Sequence, residues 1–141
     1  VHVTLPDDPL CLVIHRALDR FPETDTVDIS DLKDLPLCLL DETRFPRPNS
    51  ELLTACKKQG FSPRIVCTCY DNSAGLALAL HAIAATFLPV SSVTMNRYDE
   101  LNVKTIRGVD LTSCPTMIYN PNLYHTKSVA AFSALFTDRA E

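Results

Sequence analysis

The stretch "NSAGLALALHAIAATFLPVSSV", residues 72–93, carries no acidic or basic side chain, and only the imidazole of His81 interrupts its apolar and small residues before Pro89. Such a run belongs either in lipid or in the middle of a folded domain. A helix needs about 20 consecutive apolar residues to cross a bilayer. Here Asp71, Asn72 and Ser73 stand as cap candidates at the start, and Pro89 cuts the second half. The stretch therefore divides into a helix over "DNSAGLALALHAIA", apolar nearly all round and so well buried, and a strand over "ATFLPVSSV" closed by Pro89. Neither piece spans a membrane. The run is a core, and no membrane partner is expected.

A chain of 141 residues supports one such core. Its hydrophobic content of 46% and charged content of 21% are those of a soluble globular protein. With 13 basic and 17 acidic residues the net charge is -4, which argues against this chain itself gripping a phosphate backbone. The start, "VHVTLPDDPL", has no initiator Met, basic region or apolar region, so no secretory signal is expected. The missing Met suggests a fragment of something longer, although processing would produce the same start. Six cysteines could form a disulfide framework, but Cys38, Cys67 and Cys69 sit in apolar strand-like runs. A reduced, cytoplasmic protein is the better expectation.

Along the chain, "VHVTLP" reads as a short strand ending at Pro6. "DDPLCLVIHRALDRF" has partly helical spacing at Leu12, Leu18 and Phe21, with Pro9 in a first turn, and predicts a helix. "PETDTVDISDL" reads as polar connection. "LPLCLLD" is a strand buried on both faces. "ETRFPRPN" should be irregular, because Pro46 and Pro48 bracket Arg47. "NSELLTACKKQGF" is the clearest helix: Asn49 or Ser50 as N-cap, Leu52, Leu53 and Cys56 as inner stripe, and Gly60 as the stop. "PRIVCTCY", "NVKTIRGV" and "TMIYN" are strands, and "MNRYDEL" is a short surface helix or turn. "TKSVAAFSALFTDRAE" closes the chain as an amphipathic helix striped by Val129, Phe132, Leu135 and Phe136. Strands alternating with helices imply an α/β fold with a mainly parallel sheet.

The order of "VTLPDDPL", "DISDLKDLPLCLLDE", "SELLTACKKQGFSPRIV" and the apolar helix running into "FLPVSSV" resembles the effector-binding domain of LysR-type transcriptional regulators. That family shows a hinge strand ending in a "DHPL"-like tetrapeptide, here Asp7 to Leu10, and a helix leading to "LP", here Leu88 and Pro89. The resemblance covers nearly the whole chain, but rests on core patterns and not on any single specific motif. The departures are three. Ala82 and Ala84 stand where the family has glycines, and the segment from Leu10 to Asp28 is longer, with room for an extra helix. The family's N-terminal winged helix-turn-helix, linker helix and first half of the effector domain are absent from this chain.

The resemblance implies a periplasmic-binding-protein-like (type 2) fold, two α/β lobes with a small ligand in the cleft between them. Residues 1–118 would be the second lobe, with 1–8 as hinge strand, and 119–141 the return strand and helix belonging to the first. It further implies a small-molecule effector, DNA contacted only through the absent N-terminal domain, and a homo-oligomer. No cofactor, metal or catalytic residue is implied. Ligands of open α/β sheets sit beyond the carboxyl ends of strands, where helix starts present free N–H groups. That rule and the family's pocket select Thr43, Arg44, Phe45, Asn49 and Ser50 in one loop, Asn72 at the head of the apolar helix, and Pro89 and Val90 after the next strand. The amides of Asn49 to Glu51 with Ser50 and Arg44 or Arg47 would suit a carboxylate. Each has an ordinary structural reading too: solvated arginines, helix caps, a strand stop.

Other features carry less. Cys67 and Cys69 share a strand face, but have no further ligand near in sequence for a metal. His81 reads as a core or interface histidine, and His15 and His125 lack partners at ligand spacing. Cys56, followed by two lysines, reads as part of a helix stripe. No GxSxG, phosphate loop or HExxH is present. The competing readings are a free-standing solute-binding lobe of a transport system and an enzyme using Cys56, Cys67 or Cys69 as nucleophile.

Overall fold

The computed structural model describes residues 2–43, 46–95, 97–120, 122 and 126–137. It divides into two compact units, residues 8–113 and a smaller one of residues 1–7 with 114–141.

The larger unit is built on a sheet of β2 (Asp8–His15), β3 (Thr26–Asp28), β4 (Pro36–Leu40), β5 (Arg64–Cys69), β6 (Ala85–Pro89) and β7 (Leu101–Arg107), in the order β3-β7-β2-β6-β4-β5. β2 runs antiparallel to both β6 and β7, whereas β3 pairs with β7, and β4 with β5 and β6, in parallel. Every strand but β2 thus points the same way, and their carboxyl ends meet at one edge. The mainly parallel sheet expected of the sequence is present, with one reversed strand at its centre. Helices α1 (Pro46–Lys58), α2 (Asn72–Leu80) and α3 (Val90–Thr94) follow β4, β5 and β6, and the short β8 (Thr112–Ser113) pairs with the start of β2.

The helix expected over "DDPLCLVIHRALDRF", and with it the extra helix between Leu10 and Asp28, is replaced by β2. Leu10 through Ile14 are all buried. A central strand covered on both faces shows a continuous apolar run, which periodicity cannot separate from a helix. The "polar connection" that follows contains β3 and a 3-10 turn, Ile29–Leu32, with Val27, Ile29 and Leu32 buried. Alternate residues of the sheet point to its two faces. Leu10, Leu12, Leu37, Leu39 and Phe87 face Leu52 and Cys56 of α1, while Cys11, Val13 and Leu88 face Ala79 of α2 and Val93 of α3.

α1 begins at Pro46, not at Asn49 or Ser50, and so takes in both prolines of the segment expected to be irregular. Proline is tolerated there because the first N–H groups of a helix have no intrahelical acceptor. The helix ends as expected, with Gly60 at φ +81° and the Phe61 N–H donating to the Cys56 carbonyl at 3.2 Å. α2 is capped by Asp71, whose carboxylate accepts from the Ala74 N–H at 2.8 Å. Only Gly75 and Ala79 of α2 are buried, so the helix is less buried than its apolar sequence implies. His81, at its C-cap, is exposed and not a core residue.

In the smaller unit β1 (His2–Thr4) pairs antiparallel with β9 (Thr116–Ile118), and the Leu5 N–H donates to the Pro115 carbonyl at 2.9 Å. α4 (Lys127–Thr137) is the expected closing helix. Its apolar stripe is uncovered: Val129, Phe132 and Leu135 are all exposed.

Candidate functional site

The carboxyl edge of the sheet gathers the segments singled out in the sequence. The loop after β4 carries Thr43, the start of α1 carries Asn49 and Ser50, the start of α2 carries Asn72, and the end of β6 carries Pro89 and Val90. Arg44 and Phe45 lie outside the described residues.

Within that edge the polar groups are largely engaged by their own neighbours. Asp41 turns the β4 loop back on itself, accepting from the Thr43 N–H at 3.0 Å and from the Thr43 hydroxyl. Asn49 is buried, and its Nδ2 donates to the Leu40 carbonyl at 2.7 Å, pinning α1 to the end of β4. It is neither a cap nor an open donor. Ser50 is exposed within α1, between two shallow grooves. One is shared with Glu51, Thr54, Gly108 and Asp110, the other with Glu42, Leu53 and Lys57. The Ser50 and Glu51 N–H groups lie within the helix, so the backbone anion cradle expected at Asn49 to Glu51 is not formed there. Two of the positions that would present free N–H groups at this helix start are the prolines themselves. Arg47 pairs with Glu51 at 3.4 Å on the open helix surface, a solvated contact worth a few tenths of a kcal/mol.

Asn72 is half-buried in the first turn of α2, and its Oδ1 has no hydrogen-bond partner. The cap role belongs to Asp71. Pro89 is buried as the last residue of β6, and Val90, exposed, opens α3. That helix start is served by Asp8 from β2, which accepts from the Ser91 N–H at 3.2 Å and from the Ser91 hydroxyl. Asp28 and Arg107 close the β3–β7 corner in a bidentate pair at 2.9 and 3.0 Å. Sequence reading missed these two and Asp8, all recognisable only once strand ends are placed side by side.

Of the three cysteines that could serve as a nucleophile, Cys56 is buried on the inner face of α1. Burial pushes the Cys56 thiol up, and pushes Cys11 up to about 11. Both favour the neutral, unreactive form. Among the described residues no three His, Cys, Asp or Glu side chains are arranged to hold a metal, and no helix is long and apolar enough to cross a membrane.

A family model described as the LysR substrate binding domain matches residues 1–141. The chain belongs to that family. No curated protein matches it. Among solved structures, the LysR family transcriptional regulator CbnR is 25% identical with a TM-score of 0.69, covering 100% of this chain and 48% of its own. The effector binding domain of QuiR in complex with shikimate is 19% identical, with a TM-score of 0.63 over 95% of this chain and 62% of its own. The CcmR regulatory domain of Synechocystis PCC6803 in complex with 2-PG is 13% identical, with a TM-score of 0.71 over 99% and 68%. The latter two identities speak for the fold alone. This LysR substrate-binding domain chain, a type 2 periplasmic-binding-protein-like α/β fold, spans about half the length of the CbnR chain.

Proposed function

We propose that this chain is the second lobe, with the return segment of the first, of the effector-sensing domain of a LysR-type transcriptional regulator. It is not an enzyme, and it works in the cytoplasm. In this reading residues 1–118, with β1 and β9 of the smaller unit counted as hinge strands, belong to the second lobe and 119–141 return to the first. A small molecule binds at the carboxyl edge, with Thr43, Arg44, Phe45, Asn49, Ser50, Asn72, Pro89 and Val90 as this lobe's wall. The first lobe supplies the opposite wall. Effector binding favours one arrangement of the lobes over the other, and that preference is what alters DNA binding by the N-terminal domain of the full regulator.

The observation that carries this reading is the exposed stripe of Val129, Phe132 and Leu135 on α4. An apolar helix face of this kind is covered in the working protein. The edge strand β5, which exposes Ile65 and Val66, supports self-association of the regulator.

The test is titration calorimetry with a panel of small carboxylates, shikimate among them, against this chain and against a longer chain that adds the upstream lobe. Measurable binding to the longer chain with at least about tenfold weaker binding to this one is expected. Equal affinities would refute a site shared between lobes.

A further inference from the structure

Beneath α2 the sheet carries three thiols that effector sensing does not use. Cys38 of β4 and Cys69 of β5 are buried side by side, with Cys67 packed against them. The Cys38 S–H is directed at the Cys69 sulfur, 3.4 Å away. A covalent S–S bond is about 2.05 Å, so modest side-chain movement separates contact from bond. α2 lies close over the pair: a Cβ at Gly75 would stand 3.4 Å from the Cys69 sulfur.

The pair also sits where the two candidate loops are anchored. The Cys69 carbonyl accepts from the Asp41 N–H at 2.8 Å, and the Cys69 S–H donates to the carbonyl of Asp71, the cap of α2, at 3.5 Å. Asp41 holds Thr43, and Asp71 precedes Asn72.

We propose that Cys38 and Cys69 are an oxidisable dithiol, which a hydroperoxide converts to an intramolecular disulfide that ties the middle of β4 to the end of β5 and stiffens the Asp41 and Asp71 loops. Cys69 is the entry point, because it retains 7% exposure whereas Cys38 has 0%. Its sulfur attacks the O–O bond, giving a sulfenic acid and releasing the alcohol, or water from hydrogen peroxide. The Cys38 sulfur then attacks the sulfenic sulfur, the S–S bond forms, the S–O bond breaks, and the hydroxyl leaves with the Cys38 proton as water. Two thiols lose two electrons in all, and one peroxide bond is reduced. Burial pushes the Cys38 thiol up, so closure is slow and answers sustained oxidation, not a pulse.

The experiment treats the chain, and its Cys67→Ala variant, with hydrogen peroxide, alkylates the remaining thiols in denaturant, and maps the peptides. A Cys38–Cys69 cross-link is expected in both proteins, with the mass lower by two hydrogens and the change reversed by dithiothreitol. Amide exchange at Asp41, Thr43 and Ala74 should slow in the oxidised form. A Cys38 that stays alkylatable would overturn the proposal, as would a bond from Cys38 to Cys67, bonds only between chains through Cys114, or unchanged exchange in both loops. The readout needs no effector, so it stands or fails apart from the function proposed above.

Discussion

Replacing Lys104 by Met removes one charge from a polar cluster whose ion-paired side chains are shielded from solvent. The side chains of Lys104 and Asp19 are 1% and 2% exposed, and Nζ lies 2.9 Å from the carboxylate. The ammonium has three protons and three acceptors: Asp19, the Phe21 carbonyl at 2.6 Å and the Thr24 carbonyl at 2.5 Å. Asp19 in turn accepts from Asn102 Nδ2 at 2.6 Å and the Phe21 N–H at 3.0 Å. This cluster holds the long β2–β3 connection onto β7, at the end of the sheet away from the candidate site. Methionine keeps the unbranched stem but leaves a carboxylate buried beside it without its counter-charge. Breaking a buried pair from one side costs about 3–5 kcal/mol, a large share of the roughly 5–15 kcal/mol that stabilises a domain. With a urea dependence of about 2 kcal/mol per molar, the midpoint should fall by about 2 M.

The pH dependence checks the cause as well as the size. Burial alone would raise the Asp19 pKa, but the donors from Lys104, Asn102 and Phe21 outweigh it and hold the carboxyl below its ordinary value. In the native chain its contribution is therefore full above the unfolded carboxylate range, and is lost as pH falls through the folded value. In the variant burial acts with the strongest opposing donor gone, and the folded pKa rises. The variant should then gain stability as pH falls from 7 toward 5, where the native chain does not. Urea unfolding followed by circular dichroism at both pH values measures this. A midpoint within about 0.5 M of native, or parallel pH slopes, would refute the reasoning.

Ala82 has φ +53° and closes a Schellman turn, its N–H donating to Ala79 and that of Ile83 to Leu78, each at 3.0 Å. Glycine removes a left-handed strain of about 1–2 kcal/mol at a chain-entropy cost of about 0.5–1, so Ala82→Gly should raise stability by about 0.5–1 kcal/mol in denaturant titration. Gly60→Ala, at φ +81°, should lower it by about 1 kcal/mol in the same assay. Thr86 is fully buried and its hydroxyl has no partner, so Thr86→Val should stabilise by about 1–2 kcal/mol, read as a higher thermal midpoint.

These positions also show what the sequence could and could not disclose. β4, β5, β6 and β7 were legible because each is a short apolar or alternating run between turn residues, and α1 because of its stripe and Gly60. β2 was not, because burial on both faces erases the alternation that marks a strand, and Leu12, Leu18 and Phe21 happen to fall at helix-like intervals. The segment holding Val27, Ile29 and Leu32 looks like polar connection because three apolar residues among acids show no period over so short a length. The apolar composition of α2 implies a well-buried helix because alanine counts as apolar, yet small residues at Ala74 and Ala77 face solvent at little cost. Family resemblance carried the fold where local pattern failed.

The candidate edge was legible for a different reason: strand ends follow from strand order, and ligands of such sheets gather there. Which donors remain available there does not follow from strand order. Asp8, Asp41 and Asp71 each satisfy groups at a helix start or loop, and Pro46 and Pro48 bring no N–H to the start of α1. An anionic effector therefore gains little from the helix starts of this lobe, and Arg47 is already paired in solvent. Arg44 is the one cation among the proposed wall residues, and under the proposed function the counter-charge is assigned to it and to the first lobe. In a chain that includes both lobes, Arg44→Ala should weaken a carboxylate probe about tenfold, through the loss of one charge-assisted contact. Ser50→Ala should change it less than about twofold, since the hydroxyl stands exposed on the α1 surface. Calorimetry on both variants decides the matter: a larger loss in Ser50→Ala would return the anion to the helix start and refute the role of Arg44.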